Sequence, residues 1–382
     1  MSACLRFYCI AILLMALSTS AVAQFTPPPP PVGSPEVQED RTVTFRLRAA
    51  KAEQVRLLSS DLPGLMVGAD LTKDDDVWSF TTDVVPAGAY RYHFLVDGIR
   101  VLDPENTATS QSNTDLWSVV HVPGSAPFDT GDTPQGTLAE VRYHSETLGK
   151  ARRMHVYTPP GYEEGDAEYP VFYLLHGASD SDDSWTSVGR AHVIFDNLIA
   201  SGDAPPMVVV MPDGHTAPFN FAQPGDFEQQ MAEFVQDFMH EVRPLVESRY
   251  RIKEGRANRA VAGLSMGGAH ALDIMAEQLG DFAYVGVFSS GVFSLNPMTP
   301  PPSPTWAEQH AATLNDASLK DGLELLWMRI GTRDFLLQIS RLTVEMLQEH
   351  GFDVTYDETD GAHTWLEWRD YLVTFASALF DG

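Results

Sequence analysis

The sequence predicts an α/β chain in two parts, a doubly wound and mostly parallel sheet preceded by a small all-β sandwich. Between about residues 41 and 123, short segments alternate apolar and polar side chains with the period of a half-buried strand, and no helix-period run interrupts them. After residue 135 apolar segments alternate with helical stretches. Some of these segments, such as Met207-Val208-Val209-Val210-Met211, are apolar throughout, which implies a sheet covered on both faces. Finally, Gly263-Leu264-Ser265-Met266-Gly267 has the G-x-S-x-G form of a sharp strand-to-helix turn, which belongs at the carboxyl edge of such a sheet.

At the N-terminus, Arg6 precedes an apolar run over about 7–17 and then Ser18-Thr19-Ser20-Ala21-Val22-Ala23, which ends in an A-x-A pattern. A signal peptide over residues 1–23 is expected, and with it a secreted or periplasmic protein. The run is shorter than the roughly 20 residues that cross a bilayer. Both cysteines, Cys4 and Cys9, lie inside it, so the mature chain is expected to carry no disulfide, thiolate metal site or cysteine nucleophile. Residues 24–40 form a stiff spacer containing the prolines from Pro27 to Pro31.

Strands of the sandwich, 41–123, are expected at 43–47, 54–58, 78–82 and 90–96, with turns at Leu62-Pro63-Gly64, Pro86-Ala87-Gly88 and Asp97-Gly98. A second linker, 124–134, leads into the α/β region, 135–382. There, strands are expected at 154–157, 171–175, 207–211, 259–262, 284–288, 325–330 and 354–356, and helices at 227–250, 266–278 and 337–350.

The 382 residues, 44% of them hydrophobic, suffice for two buried cores. A net charge of −27 makes nucleic acid and anionic membranes poor partners. Asp180, Asp182 and Asp183 lack a convincing ligand set and read as an acidic loop in solvent, so neither a metal nor any other cofactor is expected.

A serine hydroxyl is a poor nucleophile at neutral pH, so Ser265 requires a base and a carboxylate that orients it. In α/β-hydrolases these follow the serine in the order acid, then histidine. Three histidines lie late enough: His310, His350 and His363. His350 ends a helix before Gly351, where it favours the helix dipole, and His310 has no strand-end context. His363 follows the last strand and is the expected base. Asp334, on the loop after the penultimate strand, is the expected acid, with Asp360 as the alternative on a tight loop three residues from the histidine. The oxyanion requires two backbone N–H donors, expected from Met266 and from Ala178, just beyond Tyr173-Leu174-Leu175-His176-Gly177. His176 precedes the serine and is read as structural.

Two resemblances add to this. Tyr90-x-Tyr92-x-Phe94-x-Val96-Asp97-Gly98, followed by Asp103-Pro104-x-Asn106, resembles the immunoglobulin-like N-terminal domains of glycogen-branching-type enzymes and some exported esterases. That resemblance implies a carbohydrate-binding module, with Trp78, Tyr90, Tyr92 and Trp117 as candidate sugar contacts. Tyr173-Leu174-Leu175-His176-Gly177, Met211-Pro212-Asp213-Gly214, the serine motif, Gly331-Thr332-Arg333-Asp334 and Gly361-Ala362-His363-Thr364-Trp365 resemble the exported feruloyl and acetylxylan esterases. This second resemblance implies Ser265, Asp334 and His363 as a catalytic triad, Met266 and Ala178 as oxyanion donors, and feruloylated or acetylated plant cell-wall xylan as partner. Siderophore esterases carry much the same motifs and stand as the alternative, together with a non-catalytic carbohydrate-binding protein. Trp185, Trp306 and Trp365 fall on loops near the carboxyl edge and are expected to contact substrate, and the proline-rich stretch 296–305 is a candidate cleft wall.

Overall fold

Alternating side chains build the first part of the chain, in a computed structural model that describes residues 30–218 and 224–380. The expected signal peptide, with Cys4 and Cys9, and the start of the spacer lie outside the described residues. The strands of this part are β1 (Glu36–Val37), β2 (Val43–Arg48), β3 (Val55–Leu58), β4 (Ala69–Asp70), β5 (Thr72–Asp74), β6 (Val77–Thr81), β7 (Gly88–Val96), β8 (Ile99–Val101), β9 (Thr109–Gln111) and β10 (Leu116–Val122). They form two antiparallel sheets, ordered β1-β2-β6-β5 and β4-β3-β7-β10-β9, with β8 paired to β7. Inward residues of both sheets, among them Phe45, Leu57, Tyr92, Phe94 and Val120, share one core. Phe45 and Tyr92 meet edge to face with centroids 4.6 Å apart.

A mixed sheet follows: β11 (Thr137–Ser145), β12 (Lys150–Thr158), β13 (Val171–Leu175), β14 (Val208–Pro212), β15 (Arg259–Leu264), β16 (Tyr284–Phe288), β17 (Leu325–Gly331) and β18 (Thr355–Thr359). Its order is β11-β12-β14-β13-β15-β16-β17-β18, antiparallel through β11, β12 and β14 and parallel from β14 to β18. The main helices are α1 (Ala191–Ser201), α2 (Pro224–Asp237), α3 (Met266–Gln278), α4 (Leu337–Glu349) and α5 (Trp365–Ala376).

Alternation along β13 explains the two layers. Val171, Tyr173 and Leu175 face a core shared with Phe234 of α2, Leu272 and Met275 of α3 and Leu347 of α4. Phe172 and Leu174 face the other, with Phe195 of α1 and Leu372 and Phe375 of α5. The helix expected over 227–250 is interrupted by a π-helical turn at Phe238–Val242, after which a short helix runs over Arg243–Arg249. Pro244 supplies the reason: it has no N–H to donate, and its ring would press on the carbonyl four residues back in a continuous α-helix.

The sandwich docks on the α5 side of the mixed sheet, where Ala89, Val119 and Phe128 join the second core. Arg369 of α5 is wholly buried there, donating to the Ala89 carbonyl at 3.2 Å and the Val188 carbonyl at 2.9 Å. A Cβ on Gly88 would lie 2.4 Å from that guanidinium, and its φ of 153° is one that residues with a Cβ rarely adopt.

Phe375 lies among the rings of Phe172, Phe288 and Trp327, each with its centroid 5.7 Å away. Phe375→Ala is expected to lower unfolding stability by about 3–5 kcal/mol, read from the shift of a denaturant midpoint.

Candidate active site

At the end of β15 the backbone cannot turn into α3 without strain. Ser265 sits there at φ 50° and ψ −117°, a conformation rarely adopted by residues with a Cβ. Its neighbours make the turn possible. A Cβ on Gly263 would lie 2.4 Å from the Gly267 carbonyl group, and one on Gly267 would lie 2.5 Å from the Leu175 carbonyl oxygen. Strand and helix therefore touch backbone to backbone, and the Ser265 N–H donates to the Phe288 carbonyl at 2.8 Å.

The same economy of space brings two further loops together. A Cβ on Gly331 would lie 2.3 Å from the Gly361 carbonyl, and the Arg333 N–H donates to that carbonyl at 2.8 Å. This contact carries Asp334 and His363 to one another, with 2.8 Å between His363 Nδ1 and Asp334 Oδ2. The other oxygen of Asp334 accepts from the Leu336 N–H at 2.9 Å, and its carboxylate is fully buried. The His363 ring lies between Phe335, at 4.4 Å, and Trp368, at 5.0 Å and almost perpendicular. Asp360 points into solvent near Arg333, and His350 and His310 pair elsewhere, with Asn315 and the Trp306 ring.

Beyond β13 the chain bends tightly past the serine. A Cβ on Gly177 would meet Leu264 at 2.5 Å and the Ser265 Cβ at 3.3 Å. His176 fixes this bend. The Gly214 N–H donates to its Nε2 at 2.7 Å, so the proton rests on Nδ1, which donates to the Gly177 carbonyl at 2.8 Å. Ser179 adopts a left-handed φ of 67°, and its N–H donates to His215 Nε2 at 3.0 Å. Burial pushes the His215 pKa down to about 4, which keeps that nitrogen an acceptor. Ala178, between these fixed points, packs with Met266.

These elements open on a cavity of about 370 Å³ whose described lining includes Gly177, Ala178, Leu264, Ser265, His363 and Trp368. Its opposite wall belongs to the sandwich: Ser60, Arg91, Ser112, Thr114, Asp115 and Trp117. Arg91, Trp368 and the aromatic platform at Phe335, which is 75% exposed, are absent from the sequence expectations. Arg91 sits between two core tyrosines, at the position strand alternation assigns to solvent, so only the docked second domain reveals it.

Several expected contacts fall elsewhere. Trp185 is 1% exposed and donates to the Leu175 carbonyl at 3.0 Å, and Trp365 is 2% exposed, with its ring edge-to-face on Trp185 at 5.0 Å. Both are packing beneath the site, because Trp365 begins α5 rather than lying on a loop. Trp306 donates to Asp273 at 2.7 Å and packs on the α3 side, and none of residues 296–305 lines the cavity. In the sandwich, Trp78 donates to the Ala49 carbonyl, Tyr90 to the Pro86 carbonyl and Tyr92 to Asp103; all three are buried and present no face to a sugar. Trp117 remains half-exposed, its ring tilted against His93 with centroids 4.5 Å apart and beside Arg100.

The acidic loop is also corrected, since Asp180 and Asp182 are buried. Burial would raise the Asp182 pKa, but hydrogen bonds from His155 and Arg153 outweigh it and hold the group low. Among the described residues no group of three or more histidine, cysteine or acidic side chains is arranged to hold a metal ion.

Residues 145–378 match the Esterase family, described as "Putative esterase". Over 356 residues the chain is 31% identical to an endo-1,4-beta-xylanase/feruloyl esterase of Xylanibacter ruminicola, covering 91% of this chain and 46% of that protein. The chain thus spans about half the length of that curated relative. A CE1 ferulic acid esterase structure from Anaeromyces mucronatus is similar with a TM-score of 0.58 and 24% identity, over 71% of this chain and 98% of the other. The enterobactin esterase from Shigella flexneri is similar with a TM-score of 0.62 and 18% identity, over 89% of this chain and 93% of the other. At these identities the structures speak for an α/β-hydrolase fold, and the second likeness extends across the sandwich.

The burial of Trp185 sets an expectation distinct from that for a substrate contact. Trp185→Ala is expected to cost about 3–5 kcal/mol in stability, measured by denaturant titration, whereas the half-exposed Trp117→Ala is expected to cost under about 1.5 kcal/mol.

Proposed function

Because the chain belongs to the esterase family of carboxylic ester hydrolases, we propose that it is a serine esterase acting on feruloyl or acetyl esters of plant cell-wall xylan. One observation carries the chemistry: a serine on a strained strand-to-helix turn shares a cavity with a histidine that is hydrogen-bonded to a buried aspartate.

In this reading Ser265 Oγ attacks the ester carbonyl while His363 Nε2 takes its proton. Asp334 holds the Nδ1–H and stabilises the imidazolium as it forms. The N–H groups of Met266 and Ala178 receive the developing oxyanion. The tetrahedral intermediate collapses, His363 protonates the departing alcohol, and a water activated by the same histidine hydrolyses the acyl-enzyme. Oriented donors of this kind contribute about 3–4 kcal/mol each to transition-state stabilisation.

The choice of xylan esters is supported by the relative whose name joins a xylanase to a feruloyl esterase and whose alignment takes in both parts of this chain. Trp117 and Trp368 give the cavity aromatic walls suited to a phenolic acid or a sugar ring. The signal peptide expected over 1–23 agrees with a polymeric substrate outside the cell. A second reading, esterolysis of a catecholate siderophore, draws on the two-part likeness to the enterobactin esterase. The chain's charge of −27 works against it, since such ligands are strongly anionic when they carry iron.

Ser265→Ala is expected to abolish hydrolysis of 4-nitrophenyl acetate while leaving the circular dichroism spectrum unchanged; retained turnover would overturn the mechanism. Asp334→Asn is expected to lower kcat by about 10⁴-fold, because His363 would lose the partner that fixes its tautomer. Turnover of methyl ferulate, acetylated xylan and a triscatecholate lactone decides the substrate, and preference for the lactone would favour the second reading.

A further inference from the structure

The cavity wall contributed by the sandwich is bound directly to the loop that carries Ala178. Arg91, from β7, sends Nη1 to Asp180 Oδ1 at 2.6 Å and Nε to Asp61 Oδ2 at 2.9 Å. Its side chain is only 11% exposed, and its guanidinium lies 5.9 Å from the Trp365 ring. Asp180 is the third residue after Gly177, and its N–H closes the turn on the Gly177 carbonyl at 3.2 Å. A second tie runs beside the first: the Asn113 N–H, on the loop between β9 and β10, donates to the Ser179 carbonyl at 2.9 Å.

Ser179 is held in a left-handed conformation unfavourable for a residue with a Cβ, so it stays there only while its surroundings compel it. Three contacts do so. His215, on the hydrolase side, takes its N–H. Asn113 and Arg91, both from the sandwich, hold its carbonyl and the carboxylate of the next residue. Ala178 lies between this clamped pair and Gly177, which is pressed against Ser265. The contacts of Arg91 and Asn113 reach the loop bearing the second oxyanion donor and not Ser265, His363 or Asp334 themselves.

We propose that Arg91 is a positioning residue: from the sandwich, through Asp180, it holds the oxyanion loop in register with Ser265, so that the N-terminal part completes the catalytic apparatus. The inference rests on the reading of Ala178 as an oxyanion donor. A salt bridge that merely glued the two parts together would affect stability and leave the chemistry untouched, and this difference makes the proposal testable.

The most direct variant in the full chain is Asp180→Ala, which cuts the tie yet leaves Arg91 compensated by Asp61. Its kcat on 4-nitrophenyl acetate is expected to fall about 10- to 100-fold with KM changed less than about 3-fold, because the lost interaction acts in the transition state. Affinity for an aryl trifluoromethyl ketone, which forms a tetrahedral adduct with an oxyanion, should fall in parallel. Arg91→Lys keeps the buried charge but lacks the fork that spans both carboxylates, and is expected to show the same pattern at about 3- to 10-fold. This milder change keeps the test open if Asp180→Ala does not fold.

A folded Asp180→Ala or Arg91→Lys with wild-type kcat would overturn the proposal, as would a loss of kcat with unchanged affinity for the trifluoromethyl ketone. An inert Ser265→Ala beside a fully active Asp180→Ala would remove this inference alone, whereas an active Ser265→Ala would remove the triad reading itself.

Discussion

The structure turns on the contact between Gly263 and Gly267, where strand and helix meet backbone to backbone beneath Ser265. A chain that bends this sharply holds one residue at an unfavourable φ and ψ, and the surrounding sheet must keep it there. β15 is central in the mixed sheet, flanked by β13 and β16 in parallel register, so the strained residue stands on the most constrained strand available. The loops that meet it are drawn in by the same device. Gly177 brings the end of β13 against the serine, and Gly331 brings the acid loop against the histidine loop. Each close approach forbids a side chain, and together they gather groups from the ends of four strands into one site.

The elbow was legible because its constraint is local: five consecutive residues carry the steric requirement. The parallel strands were legible too, since burial on both faces leaves a continuous apolar run, as in Val171–Leu175 and Val208–Pro212. What escaped depends on distant partners. Trp185 and Trp365 occupy stretches that read as loops near the carboxyl edge, but their rings close the second core against each other, and nothing in either local sequence announces the contact. Trp78, Tyr90 and Tyr92 follow strand alternation faithfully, but alternation alone does not say which face meets solvent, and theirs is the core face. The π-helical turn before Pro244 follows from a proline visible in the sequence, whose effect a helix-period reading passes over.

Charge shows the same division. With 52 acidic and 25 basic side chains, the chain reads as uniformly acidic, and the loop from Asp180 to Asp183 as one more solvated patch. In the structure, Asp180 is paired with Arg91, Asp182 with Arg153 and His155, and Asp237 with Arg152, all with little or no exposure of the carboxylate. Burying a carboxylate without a partner is far costlier than leaving it in water, so the few cations are committed to these sites first. Arg91 alone pairs with two buried carboxylates, Asp61 and Asp180, so the interior pairs take up at least as much negative as positive charge.

The two kinds of contact between sandwich and hydrolase divide the work of docking. Ala89, Val119 and Phe128 bury apolar area, which favours association yet tolerates sliding, because such contacts are non-directional. The polar contacts are directional: Ser187 to Ser110 at 2.7 Å, Gln111 N–H to Asp183 at 2.6 Å, Asn113 N–H to the Ser179 carbonyl and Arg91 to Asp180. A hydrogen bond weakens over a few tenths of an ångström and a modest angle, so this set fixes register far more narrowly than the apolar patch can. All of these contacts fall on residues 179–187, which follow directly from the bend at Gly177. This directional set therefore lies where a small displacement would be felt at the serine, while Arg369 of α5 adds one directional tie, to the Ala89 carbonyl, within the apolar patch.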